Sequence, residues 1–297
     1  MNLSQLPAQL LNGVFIGSIY ALFALGYTLI FGVLDILNLA HAAIFMLGAI
    51  VSWWLVSEQG WNLVPAFVVA VVLCGFLGIL LDRVAFLRLR RRSAGHLQPL
   101  ISSIAISLIF VGLARLFFNP DRKQFPNGTF PSVYFDMGNV RIRLLDVVIL
   151  VISLAMMVGL TWLVRSTSLG RSMRAVAENP RAAALLGVSI EGVIMKTFFI
   201  ASALGGAAGV LYGLSLNSIE PTMGERVELK GLAIIILGGM GSIPGAVVAG
   251  FLIGLIEVLA VAFRVSQLKD ALVFAALFMM LLIRPQGLFG QRLGRVA

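Results

Sequence analysis

The chain has little charge and almost none of the side-chain chemistry on which soluble enzymes rely. Asp, Glu, Lys and Arg make up 12% of 297 residues, against about 25% in soluble proteins. The only cysteine, Cys74, lies in an apolar run, which excludes a disulfide framework and a multi-cysteine metal site. His41 and His96 are the only histidines and stand in no HExxH-like spacing, so no metal site is expected. There is no GxxxxGK[ST] loop and no GxSxG elbow, and the one Gly-rich turn, 238–245, has no lysine to reach a phosphate. Nothing in the chain therefore pairs a nucleophile with a base, and no nucleotide site of the phosphate-loop kind exists. Acid is scarcer still, with 13 Asp and Glu against 22 Lys and Arg. The basic residues sit in connectors and the tail, where the positive-inside rule puts them, so the net charge of +9 does not point to nucleic acid.

Long apolar runs fill the rest. The composition is 60% hydrophobic with a mean hydropathy of +1.01, and several windows exceed the ~20 residues that cross about 30 Å of hydrocarbon. Unbroken apolarity, rather than alternation, points to helices and not to a barrel. The expectation is an all-α polytopic membrane protein, one transmembrane domain over 1–297. Its spans fall at about 10–31, 35–56, 62–81, 97–118, 144–164, 192–216, 225–240, 246–263 and 268–283. Residues 1–11 lack a basic n-region, and no small-x-small site ends the first run, so it reads as a retained span. The connector 83–96 carries five arginines and no acid, and 165–190 carries four arginines against Glu178; both belong on the cytoplasmic side. The loop 119–143 then lies outside and is rich in turn formers, as in a folded loop. A full crossing by 225–240 is the expectation, giving eight or nine spans with an external N-terminus that carries no Lys or Arg. A full crossing brings the tail, with Arg284, Arg292 and Arg295, to the inside.

The polar interruption Arg165–Glu191 stands out. Asn179 is a good N-cap, Pro180 suits the first helical position, and Gly187 suits the left-handed residue after a helix end. A helix of about two turns follows over Pro180, Arg181, Ala182, Ala183, Ala184, Leu185 and Leu186, with Glu178 just before it. Helices under ~12–15 residues are marginal alone, so this one is expected to dock into a soluble partner.

Ionisable groups at membrane depth are functional candidates. Asp35, Asn38 and His41 recur every three residues at the entrance to the second span, which predicts a shared helix face; they either line a polar path or serve as a cap and a packing residue. Ser103 and Ser107, with Ser102 and Gln98, make one side of the fourth span polar and suit a neutral or zwitterionic solute. Glu257 lies mid-span, unless a shorter span leaves it close to an interface, and has either a path or helix-contact role or a structural one. GxxxG spacings at Gly13/Gly17, Gly205/Gly209/Gly213, Gly241/Gly245 and Gly250/Gly254 predict close helix packing. Gly239, Gly241 and Pro244 break a helix within 238–245; the freed backbone groups must lie in protein or beside a cavity, as a gate or as a structural kink.

Three blocks resemble one family. Asn12–Ala49 is similar to the opening of branched-chain amino-acid ABC-importer permeases. Gly170–Ile190 resembles the family's cytoplasmic coupling segment, and Gly231–Glu257 its helix-breaking block. One departure is Ala42–Ala43 after His41, where an AHGE-like run with an acidic residue is common in the family. The resemblance implies an inner-membrane permease subunit, itself no enzyme, that moves branched-chain or other hydrophobic amino acids inward by alternating access; urea, short amides or another small solute is the alternative, and an ion-coupled secondary transporter a weaker one. It further implies a second permease subunit, identical or related, two cytoplasmic ATPase subunits that bind the ATP, and an external solute-binding protein. The coupling residues would be Glu178–Gly187, and the path or gate residues Asn38, His41, Ser103, Ser107, Gly239, Gly241, Pro244 and Glu257.

Overall fold

Each long apolar run forms a helix, and the breaks fall where the sequence supplies caps, glycine or proline. The computed structural model describes residues 6–91, 95, 97–137 and 140–290; Arg292, Arg295, His96 and positions 92–94 of the basic connector lie outside them. In chain order the helices are α1 (Leu6–Leu34), α2 (His41–Ser57) and α3 (Leu63–Leu81), which passes through a π turn, Asp82–Phe86, into α4 (Leu87–Arg91). Then come α5 (Leu97–Phe118), a hairpin of β1 (Tyr134–Met137) and β2 (Val140–Arg143), and α6 (Leu144–Ser166). After α7 (Ser168–Glu178) and α8 (Pro180–Leu185) the chain continues into α9 (Ile190–Leu216), α10 (Met223–Gly238), α11 (Ile243–Ala262) and α12 (Lys269–Ile283). Among the described residues seven helices are long and apolar enough to cross a membrane, with α2 a shorter apolar one. The all-α polytopic expectation holds, and most predicted ends agree within a few residues. The 16-residue α10 is about 24 Å long at 1.5 Å per residue.

The entrance to the second span departs from expectation. α1 runs on to Leu34, Asp35 takes a left-handed φ of 53°, and α2 starts only at His41. Asp35, Asn38 and His41 therefore share no helix face. The segment 35–40 folds back into the bundle, because the His41 ring packs beside Gly26 of α1, two turns before that helix ends.

α1 is the axis of the bundle. Its most apolar window is 83% buried, against 17% for α5 and 6% for the last span, and it contacts α6, α9, α10 and α11. The outer helices leave Phe76, Ile101, Leu108, Trp162 and Phe278 exposed, as suits groups that face hydrocarbon. Small residues allow the close contacts. A methyl added at Gly250 would lie 2.5 Å from Ala21 Cα, one at Gly254 would press on Gly17, and one at Gly209 would run into the Phe45 carbonyl. Three of the four glycine sets thus act as helix contacts. The Gly241/Gly245 pair shares no helix face, because Gly241 lies in the turn before α11 with φ 80°, although Gly245 itself packs on Gly238 of α10.

The two ends of the bundle differ. At one end, Lys123 and Ile219 exchange backbone hydrogen bonds of 2.8 and 2.9 Å, the Trp53 Nε1–H donates to the Gln124 carbonyl at 2.9 Å, and Lys123 lies over the Trp53 ring. This loop is folded, as its turn residues predict, and borders an open cavity of about 200 Å³ between Phe125, Thr129, Tyr134 and Asn217. At the other end are the basic connectors, where Arg90 pairs with the buried Asp82 at 2.5 Å. α10 follows directly on Ile219 and ends against Gly245 and the start of the tail.

Candidate functional site

The α7–α8 segment is built from consecutive local caps. Thr167 Oγ1 accepts from the Gly170 amide at 3.1 Å and opens α7, a helix absent from the sequence reading. Gly170, Met173 and Val176 of α7 face inward, and Arg174 donates to the Val164 carbonyl. Asn179 ends α7 and opens α8, its Oδ1 accepting from the Ala182 amide at 3.0 Å, with Pro180 next in line. Gly187 sits at φ 84° and donates to Ala184 O, while Val188 donates to Ala183 O at 3.0 Å. That closes the orphan carbonyls in the manner of a left-handed C-cap. Ser189 then caps α9 through the Gly192 amide.

α8 has six residues rather than two full turns. Glu178, Asn179, Pro180, Arg181, Ala182 and Ala184 are exposed. Ala183 is 2% exposed and faces the bundle, whereas Leu185 and Leu186 are 90% and 83% exposed. Two adjacent leucines held in water at the tip of a capped turn form a small apolar knob. It is the exposed apolar part of this segment, whereas Ala183 is buried.

The second cluster lies within the bundle and centres on Glu257 of α11. The Lys230 ammonium of α10 donates to Glu257 Oε1 at 2.8 Å and to Tyr20 Oη at 3.1 Å, and the Tyr20 hydroxyl of α1 donates to Glu257 Oε2 at 2.7 Å. Lys269 and Asp270, at the start of α12, lie 3.2 Å from Glu257 and 3.5 Å from Lys230. Glu257 thereby joins α1, α10, α11 and α12. A buried carboxylate without such partners would be costly, and this one has a base and a phenol. Nearby, the Tyr27 hydroxyl of α1 donates to Glu228 Oε1 at 3.3 Å. Lys230 and Tyr20 were missed by the sequence reading. The available signal was Lys230 at the end of the charged first half of α10, after Glu225, Arg226 and Glu228 and just before an apolar run; it demands a counter-charge but does not say which one.

The third cluster is the α1–α2 break. Ser103 Oγ of α5 accepts from the Leu39 amide at 3.1 Å and donates to Leu100 O. His41 Nε2–H donates to the Phe23 carbonyl at 3.2 Å, between the rings of Phe23 and Tyr27. Asn38 is fully buried, and among the described residues neither of its amide atoms has a partner; the same holds for His41 Nδ1. Ser107 is half-buried on the same helix as Ser103. Asn38, His41 and Ser103 thus gather around one break, and Glu257 belongs to a different cluster.

At the α10–α11 break, Gly239 and Gly241 take φ values of 100° and 80°, and Pro244 lies in the first turn of α11, which Ser242 caps through the Gly245 amide at 3.2 Å. The carbonyls freed there are not left open. Leu288 donates to Leu237 O at 2.8 Å and Phe289 to Gly238 O at 2.9 Å. Residues past α12 thus take up two of the backbone groups expected to be unpaired, while Met240, Gly241 and Pro244 of the turn itself are exposed.

Comparison with known proteins agrees with this architecture. Residues 9–282 match the family described as branched-chain amino acid transport system / permease component. The chain is 34% identical over 294 residues to the high-affinity branched-chain amino acid transport system permease protein LivH of Escherichia coli strain K12, covering 95% of both chains. It is equally similar to BraD, the corresponding permease protein of Pseudomonas aeruginosa, with the same coverage. A more distant relative, at 23% identity over 86% of this chain and 79% of its own, is the ribose import permease protein RbsC of Haemophilus influenzae. No solved structure matches. A bundle of membrane-crossing helices, with a broken helix near its C-terminal end and a capped polar segment between two spans, is accordingly a multi-pass inner-membrane permease: the chain belongs to the branched-chain amino acid transport system permease-component family.

Proposed function

We propose that the chain is half of the membrane channel of an ATP-driven importer that carries branched-chain or other hydrophobic amino acids into a bacterial cell. It would pair with a second permease subunit, identical or related, and receive solute from an external binding protein. Two cytoplasmic ATPase subunits would hold the ATP, for which this chain has no phosphate loop. The observation that carries the reading is α8: a capped six-residue helix with Leu185 and Leu186 exposed, at the same end as the basic connectors. A rigid knob seated in a cleft of an ATPase transmits closure of that cleft as a rigid-body shift, as alternating access requires. α7 packs on α6, α9 and α1, so a push on α8 reaches the axis of the bundle.

The solute path then runs past the α1–α2 break, where Asn38, His41 and Ser103 offer neutral polar groups, and Ser107 extends them along α5. Hydroxyl and amide groups suit a zwitterion better than an inorganic ion. The Gly239–Pro244 turn supplies the hinge of α10 in this reading. A second reading, a different small solute carried by the same kind of importer, has support from Ala42 and Ala43 after His41 and from the ribose permease among the relatives.

The test of coupling is Leu185→Asp/Leu186→Asp in the assembled complex. The expected outcome is loss of ATPase copurification and of solute-stimulated hydrolysis; unchanged coupling refutes the reading. The solute is identified by measuring what the partner binding protein retains among leucine, isoleucine, valine, urea and short amides.

A further inference from the structure

Four ionised side chains meet where α10, α11 and α12 converge, and each of the two buried ones has two partners of opposite charge. Lys230 Nζ lies 2.8 Å from Glu257 and 3.5 Å from Asp270. Glu257 lies 2.8 Å from Lys230 and 3.2 Å from Lys269. The Lys230 and Glu257 side chains are 10% exposed, whereas those of Lys269 and Asp270 are 40% and 60% exposed. A static bridge between α10 and α11 needs one acid and one base. Here the adjacent residues Lys269 and Asp270 of α12 supply a spare base for the acid and a spare acid for the base. Tyr20 completes the set, since its hydroxyl accepts from Lys230 and donates to Glu257.

α10 is also the helix followed by a turn with two glycines of positive φ, Gly239 and Gly241. Movement of α10 against α11 stretches the Lys230–Glu257 bridge, and an ion left alone at membrane depth is costly. We propose that Lys269 and Asp270 are positioning residues for transport: they act as exchange partners that keep both buried charges neutralised while α10 moves relative to α11. In the moved state Lys230 is held by Asp270 and Glu257 by Lys269. No charge is created or lost, and no proton is transferred. The inference rests on the alternating-access reading given above.

The decisive comparison is between two charge swaps in the full importer, reconstituted with its ATPase and binding protein. K230E/E257K keeps the direct bridge but sets like charges against Asp270 and Lys269. Adding K269D/D270K restores every opposite-charge pair. Exchange predicts that the double swap transports at about a tenth of the wild-type rate or less in the protein that folds, and that the quadruple swap recovers to within about threefold. A purely structural bridge predicts wild-type transport from the double swap, which overturns the proposal, as does a quadruple swap no better than the double. Should the double swap fail to fold, K269Q/D270N decides, because it leaves the buried bridge intact. Exchange predicts about tenfold slower turnover there with unchanged half-saturation and midpoint; wild-type turnover overturns it. All rates are referred to wild-type uptake of the same solute, so a wrong functional reading appears as absent wild-type uptake and a failed exchange as unchanged variant uptake.

Discussion

The seams along α1 and α9 and the tip at α8 are both built from small residues, yet they work in opposite ways. Along the seams Gly17, Gly209, Gly250 and Gly254 let backbones touch, and each is buried against a neighbouring helix. At the tip, Ala182 and Ala184 cover nothing, and Leu185 and Leu186 stand in solvent. The seams hold themselves together through area removed from lipid and through close packing. The tip holds its shape through the hydrogen bond that Asn179 Oδ1 accepts from Ala182 and those that Gly187 and Val188 donate to the Ala184 and Ala183 carbonyls. Stability resides in the first region and the unfilled contact in the second, which is why a partner is to be sought at the tip.

Breaking the seam should have the largest effect. Gly209→Val sets a branched side chain against the Phe45 carbonyl, a backbone group that cannot turn aside, and should cost about 3 kcal/mol or more. The expected outcome is little monodisperse protein on size exclusion, and a normal yield would separate glycine from packing at this seam. Next comes Leu185→Asp/Leu186→Asp, which should abolish ATPase coupling while the melting midpoint stays within about 1 °C, since surface changes are worth about ±0.5 kcal/mol. A lowered midpoint would mean that the two leucines serve the fold and not a partner.

Smaller effects sharpen the contrast within the tip. Gly187→Val forces a β-branched residue to φ 84° and should cost about 1–2 kcal/mol, read as faster amide exchange in α8 and weaker coupling. Asn179→Ala removes the shared cap and should cost about 1 kcal/mol; Asn179→Asp should restore coupling because its oxygen still accepts from Ala182. The smallest effect is expected at Gly159, whose added methyl meets nothing within 4 Å. Gly159→Ala should leave yield and midpoint unchanged or slightly raised, by less than about 1 kcal/mol. A loss there would reveal a contact with another subunit on that face of α6.

Features that depend on nearby residues were legible. The spans, the Asn179 cap, the Pro180 start and the left-handed Gly187 follow from apolar length and from hydrogen bonds spanning three to five positions, and the structure places them as expected. The three-residue spacing of Asp35, Asn38 and His41 misled because equal spacing marks a helix face only if the helix is present, and Asp35 turns the chain instead. The burial of Ala183 was not legible for a related reason: a six-residue helix packed on its neighbours buries one residue of its turn, and composition does not reveal which.

By itself, then, the sequence determined that this is an all-α membrane protein with a capped helix between two spans, because hydropathy and caps are local properties. The tertiary structure alone decided how the buried charges are compensated and which glycines touch. Tyr20 meets Glu257 across 237 positions and Lys230 meets Tyr20 across 210. A lone intramembrane charge requires a partner on energetic grounds, but only the packing of four separate helices brings a particular one within 3 Å.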